Sequence, residues 1–159
     1  MPRPVTSVQR EIKQRKPFRS ASQEAFIALL RTADLLRRRV STDIEAEGIT
    51  LQQYNVLRIL RGAGDEGVPT LEVSDRMIEQ APGVTRLLDR LEAKELIRRQ
   101  RCEKDRRQHL CWIAPKGLAL LEQIDATTSR AHEDSLKGLR QKDRAAFIRM
   151  LDAIRAAHQ

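Results

Sequence analysis

Aromatic residues make up only 3% of this 159-residue chain. So few stacking platforms argue against a binder of single-stranded nucleic acid. Cores and interfaces must then be built from Leu, Ile, Val and Ala. Cysteine is almost as scarce. Cys102 and Cys111 form no disulfide framework. Together with His109 they match no strong zinc pattern, so no metal is expected. The longest apolar run, Ala25–Leu30, is too short for a membrane span or a signal-peptide core. A soluble, cytoplasmic protein without membrane attachment is expected. There is no glycine-rich phosphate loop, no nucleophile elbow, and no histidine paired by sequence with a nucleophile. The chain is therefore not expected to be an enzyme or to carry a cofactor.

What is present is charge on an ordinary apolar background: 33% charged residues, 40% hydrophobic, net charge +8. Such a basic excess favours an anionic partner. Its distribution is uneven. Residues 1–19 hold six Lys/Arg against one acid, and residues 81–116 hold ten against five. By contrast, residues 20–80 hold seven against ten. The excess thus sits in an N-terminal arm and one central segment.

Helical periodicity dominates the rest. Ser20 and Gln23 fit a capping box opening a helix to about Glu47. Phe26, Leu29, Leu30, Leu36 and Ile44 recur on it at helical spacing. At ~1.5 Å per residue it would be about 40 Å long, a length a dimer interface would explain. Thr50 and Gln53 form a second capping box, before a helix ending near Gly62. A turn spans 62–67, and Thr70 is expected to cap a short helix, Leu71–Ile78. After a tight connection, Pro82 suits the first turn of a helix running to Lys94. Leu96–Cys102 and Leu110–Ile113 are β-compatible around a charged tip and read as a hairpin. Pro115 opens a helix to about Ser135, and a last one at 142–157 places Phe147, Leu151 and Ile154 on one face.

Helix, short helix, tight turn, helix, hairpin is the order of a winged helix-turn-helix. The expected fold is mainly α with a small β-hairpin wing. Its parts are a basic arm (1–19), a dimerisation helix (20–48), the DNA-binding domain (49–114) and C-terminal dimerisation helices (115–159). On the helix from Pro82, Val84, Leu87, Leu88 and Leu91 form the buried stripe. Pro82, Arg86 and Asp89 lie opposite it, flanked by Thr85 and Arg90. Small residues at its start, Gly83 among them, let the backbone approach phosphate. Arg86 and Arg90 can reach guanine edges or phosphates. Alone, this is also the pattern of an ordinary amphipathic helix. The hairpin adds Arg98, Arg99, Arg101, Lys104, Arg106 and Arg107 within ten residues. A cationic ribbon tip suits the minor groove. Asp105 would be costly near phosphate unless paired, so it is assigned to orienting Arg107 or a neighbouring arginine.

The stretch from Leu51 to Leu121 resembles the MarR family of multiple-antibiotic-resistance-type regulators. The carrying segments are Leu51–Leu57 (LQQYNVL), Pro82–Leu91 (PGVTRLLDRL), Leu96–Arg98, Asp105–Arg107 and Lys116-Gly117. The resemblance implies a homodimer on a pseudo-palindromic double-stranded DNA operator, often a repressor, with a small aromatic or anionic effector. It makes Arg107 the wing-tip arginine and puts Thr85, Arg86 and Arg90 on the recognition helix. Phe26, Leu29, Leu30, Leu36, Phe147, Leu151 and Ile154 would serve dimerisation. Two positions depart from the family pattern. Glu95 stands where glycine usually ends the recognition helix, and Ala114 stands where threonine usually caps the next one. Three points stay open. The arm can be a solubilising tail, a DNA-contacting arm or a docked segment. Cys102, close to several arginines, can be inert or a redox sensor. Tyr54 and Trp112 can border an effector pocket or simply pack. The competing class is a helical dimeric interaction module whose basic patch binds an acidic protein.

Overall fold

The computed structural model describes residues 7–79, 83–102 and 108–158. Seven helices and three strands follow in the order α1 (Ser7–Glu11), α2 (Ala21–Glu45), α3 (Leu51–Gly62), β1 (Val68–Pro69), α4 (Thr70–Asp75), α5 (Val84–Ala93), β2 (Ile97–Arg101), β3 (His109–Ile113), α6 (Pro115–Ser135) and α7 (Gln141–Ala156).

Local signals set several of these bounds. Ser20 accepts a hydrogen bond from the Gln23 amide at 3.1 Å, and Gln23 in turn accepts from the Arg19 amide. Thr50 and Gln53 form the full reciprocal capping box of α3. Pro115 presets the first turn of α6 behind Ala114, which offers no side-chain cap.

The core gathers one face of every central element. Ile44, Val56, Leu57, Leu60, Val73, Leu88, Leu91, Cys111, Leu121 and Ile124 are essentially inaccessible. On α5, Val84 joins Leu88 and Leu91 in this core, and Leu87 packs against its edge. Arg61 ties α3 to α6 through Asp125 at 2.6 Å. Helix α2 lies along α6, where Arg39 faces Asp134 at 3.7 Å.

Two details differ from the sequence reading, and a third bears on a point it left open. The sheet has three strands, antiparallel and ordered β1-β3-β2. The unforeseen β1 pairs Val68 with Cys111 and Pro69 with Leu110. Pro69 is tolerated there because the strand lies at the sheet edge. Thr70 does not cap α4. It is the helix's first residue, and its hydroxyl donates to the His109 carbonyl at 3.3 Å. That helix stops at Asp75 rather than Ile78. Finally, the arm is a folded element from Ser7 onward. Val8 and Phe18 are buried, α1 contacts α2, and the Gln9 side chain donates to the carbonyls of Gln14 and Lys16.

Candidate nucleic-acid interface

Helix α5 begins one residue after Gly83, which takes φ 96° and forms its N-cap. That left-handed backbone favours glycine. The helix therefore starts at Val84, two residues later than the sequence reading, and Pro82 lies outside the described residues. No side chain caps this end. At such an end the helix dipole favours anions. Thr85, Arg86, Asp89 and Arg90 are all exposed on the side away from the core. Among the described residues neither Arg86 nor Arg90 has an ion-pair partner, so both guanidinium groups remain available for an anion.

The C-terminal end keeps the geometry usually made with glycine. Glu95 adopts φ 61°. The Leu96 amide donates to the Leu91 carbonyl at 3.0 Å and the Glu95 amide to the Glu92 carbonyl at 2.8 Å. This is a Schellman motif, closed by the buried Leu96. It turns the chain directly into β2.

The β2–β3 ladder pairs Ile97 with Ile113 and continues to Arg101 opposite His109. A bond from the Cys102 amide to the Gln108 carbonyl at 2.9 Å extends it to the base of the tip. Lys104, Asp105, Arg106 and Arg107 lie outside the described residues. Along β2 the arginines have distinct fates. Arg98 stacks its guanidinium on Trp112, 4.3 Å from the ring centre. The Trp112 indole N–H donates to the Asp65 carbonyl at 3.1 Å. Arg101 is exposed.

Arg99 turns back to α5. Its Nε donates to Glu92 at 2.8 Å, its Nη2 lies 2.6 Å from Asp89 and 2.6 Å from Glu92, and its backbone amide also donates to Glu92. Its side chain is 18% exposed. Desolvation works against the charge, but the hydrogen bonds and charges of Glu92 and Asp89 outweigh it and raise the Arg99 pKa. Asp89, read from sequence as DNA-facing, thus has one carboxylate oxygen occupied from the wing side. Only tertiary contact reveals this, because in the sequence Arg99 is one of several closely spaced arginines. Cys111, by contrast, is buried behind Thr70. Burial raises its thiol pKa, while the Thr70 hydrogen bond and the Arg99 charge partly offset this.

A cavity of about 500 Å³ lies behind this apparatus. Leu30, Ala33, Leu36 and Val40 of α2 form one wall. Tyr54, Asn55 and Arg58 of α3 and the segment Met77–Glu79 form others. Arg37 stands at its edge, bonded to Asp34 and 3.8 Å from Glu79. Tyr54 both packs and lines the cavity, whereas Trp112 is remote from it. Among the dimerisation candidates, Leu30 and Leu36 line this cavity. Phe26 and Ile154 are exposed, while Leu29, Phe147 and Leu151 are half-buried. Leu35, Ile148 and Met150, not singled out from the sequence, are exposed apolar residues on the same two helices.

A helix that exposes Arg86 and Arg90 beside a basic antiparallel hairpin, preceded by helices α3 and α4, defines a winged helix-turn-helix DNA-binding protein. Residues 49–109 match the MarR family. The HTH-type transcriptional regulator MhqR of Bacillus subtilis (strain 168) is 30% identical over 103 residues, 65% of this chain and 70% of that protein. A MarR transcription factor from Planctomyces limnophilus aligns with a TM-score of 0.67 and 34% identity, over 86% of this chain and 99% of its own. Bordetella bronchiseptica BpsR, whose DNA binding is regulated by 6-hydroxynicotinic acid, aligns with a TM-score of 0.72 and 25% identity, over 82% and 98%. The chain belongs to the MarR family and is a DNA-binding transcriptional regulator. Among its described residues no helix is long and apolar enough to cross a membrane.

Proposed function

We propose that this regulator is a cytoplasmic, ligand-responsive repressor that acts as a homodimer on a pseudo-palindromic operator. The carrying observation is the unpaired cationic face of α5 beside the basic hairpin. Each protomer sets α5 in a major groove, with Gly83, Thr85, Arg86 and Arg90 toward the DNA. The preceding Pro82 approaches the backbone. The tip residues Lys104, Arg106 and Arg107 follow the flanking minor groove, with Asp105 orienting Arg107. Half-sites lie roughly one DNA turn apart, about 10 bp centre to centre. The apolar faces of α2 and α7 support dimerisation, and the cavity suits a small aromatic anion. Its walls are largely apolar, Arg58 brings a guanidinium stacked on Tyr54, and Arg37 stands paired with Asp34 and Glu79.

Selection of bound fragments from genomic DNA, followed by mobility shift, tests this reading. A fragment with an inverted repeat is expected, bound more weakly as salt rises. A folded dimer that binds no DNA at low salt would overturn it. Within the complex, Arg107→Ala should weaken operator binding without altering thermal unfolding. Arg86→Ala should cost about 1–3 kcal/mol if it reads a base. Unchanged affinity for both would remove α5 and the wing from the interface.

A further inference from the structure

We infer that Arg99 is a positioning residue rather than a DNA contact: it braces the wing against the recognition helix through Asp89 and Glu92. The inference rests on the proposed placement of α5 and the hairpin on DNA. It begins with a contrast within one basic run. Arg101 presents its charge to solvent and Arg98 lies flat on an indole. Arg99 has its Nε–Nη2 edge taken by Glu92, its Nη2 also bonded to Asp89 one turn earlier on α5, and little of its side chain is accessible. A guanidinium so engaged and so little exposed has its Nε–Nη2 fork committed to carboxylates and is poorly placed for a bidentate phosphate contact.

The geometry gives the brace a purpose. The chain passes from α5 to β2 through a single left-handed residue, Glu95. The base of the hairpin is held by β1–β3 pairing and by Ile97 and Cys111 in the core. Arg99 adds a direct polar tie from β2 to the exposed side of α5, and the Glu92 carboxylate holds the Arg99 backbone amide as well as its side chain. This tie couples the tilt of the hairpin to α5. Major-groove and minor-groove contacts then fall in one register on the duplex. Asp89 and Glu92 are acids close to the proposed DNA surface, where unpaired carboxylates would repel phosphate. Arg99 explains how they are accommodated there.

The discriminating variant is the double substitution Asp89→Asn and Glu92→Gln, which removes both acceptor charges while keeping Arg99 and the side-chain shapes. If Arg99 contacts DNA, this variant frees it and deletes two repelling charges, so binding tightens. The brace requires the opposite sign. Operator affinity should fall about tenfold, because contacts held on a loosened support lose their register. Hydroxyl-radical protection of the flanking minor groove should fade while methylation protection under α5 persists. Arg99→Met should give the same pattern. The triple variant should lose no more than either alone, since all three residues form one network. Tighter or unchanged binding by the double variant would overturn the brace. So would full minor-groove protection in variants when the wild type is protected. A wild type that leaves the flanking minor groove unprotected would instead overturn the wing placement itself, and the brace with it.

Discussion

Glu95 carries the clearest local cost in the described chain. A non-glycine residue at positive φ crowds its Cβ against the following carbonyl, at a cost on the order of 1 kcal/mol. Glu95 bears it because the Schellman bonds and the buried Leu96 define the helix end. Its carboxylate lies 3.0 Å from the Lys116 ammonium, but both side chains are well exposed, so that pair contributes little. Glu95→Gly should therefore stabilise the protein by about 1 kcal/mol, raising Tm by roughly 2–4 °C. Thermal unfolding at fixed protein concentration measures it, and a lower Tm would contradict the account. Gly117 shows the other reason for glycine. Its backbone is ordinary, but an added Cβ would sit 2.2 Å from the Leu96 carbonyl oxygen. Glycine there permits the close approach of α6 to the turn that aims the wing.

Among the elements, α7 is the least anchored within a single chain. It runs 16 residues with none buried, and its Arg144 reaches Glu133 of α6 at 2.8 Å. Ile148, Met150 and Ile154 lie open to solvent on it, and Phe26 and Leu35 are exposed on α2. Exposed apolar residues on these two helices fit a second copy. Leu151→Asp combined with Ile154→Asp should shift the protein to monomer in sedimentation and lower operator affinity sharply. A variant that still sediments as a dimer would remove α7 from the interface. These elements were legible in the sequence where local chemistry sets them: the capping boxes at Ser20 and Thr50, Pro115, and the 3.6-residue stripes of α2, α3 and α6. They were not legible where tertiary pairing decides. β1 is two residues long and contains proline, so no periodicity marks it. Thr70 has a good cap's chemistry, yet its hydroxyl serves β3. Leu36 shares the stripe of Leu29 but faces the cavity. The recognition helix and the hairpin were readable from charge and order, whereas the Arg99 network and the cavity require distant residues to meet.

At the scale of the whole molecule, the cavity wall lies a few residues before the recognition helix in the chain. The Ile78 amide donates to the Asn55 side chain at 2.9 Å, and Met77, Ile78 and Glu79 border the cavity. Four residues further on, Gly83 caps α5. An occupant that pushes on this wall is expected to displace the start of the recognition helix. One that leaves it in place has no means to favour either state. Arg37 sharpens the argument, because it faces Glu79 across the cavity edge. An aromatic carboxylate bound there would compete with Glu79 for the guanidinium and so loosen the wall. Binding linkage then fixes a quantity. If such a ligand weakens operator binding by a factor, the operator must weaken ligand binding by the same factor, about 5–150-fold for ordinary couplings. Titrating a hydroxybenzoate into the free dimer and into the dimer saturated with operator measures one side. Titrating operator with and without the ligand measures the other. Asn55→Ala, which cuts the tie between α3 and the wall, should shrink both ratios together. Equal ligand affinity with and without operator would show that the cavity has no hold on α5.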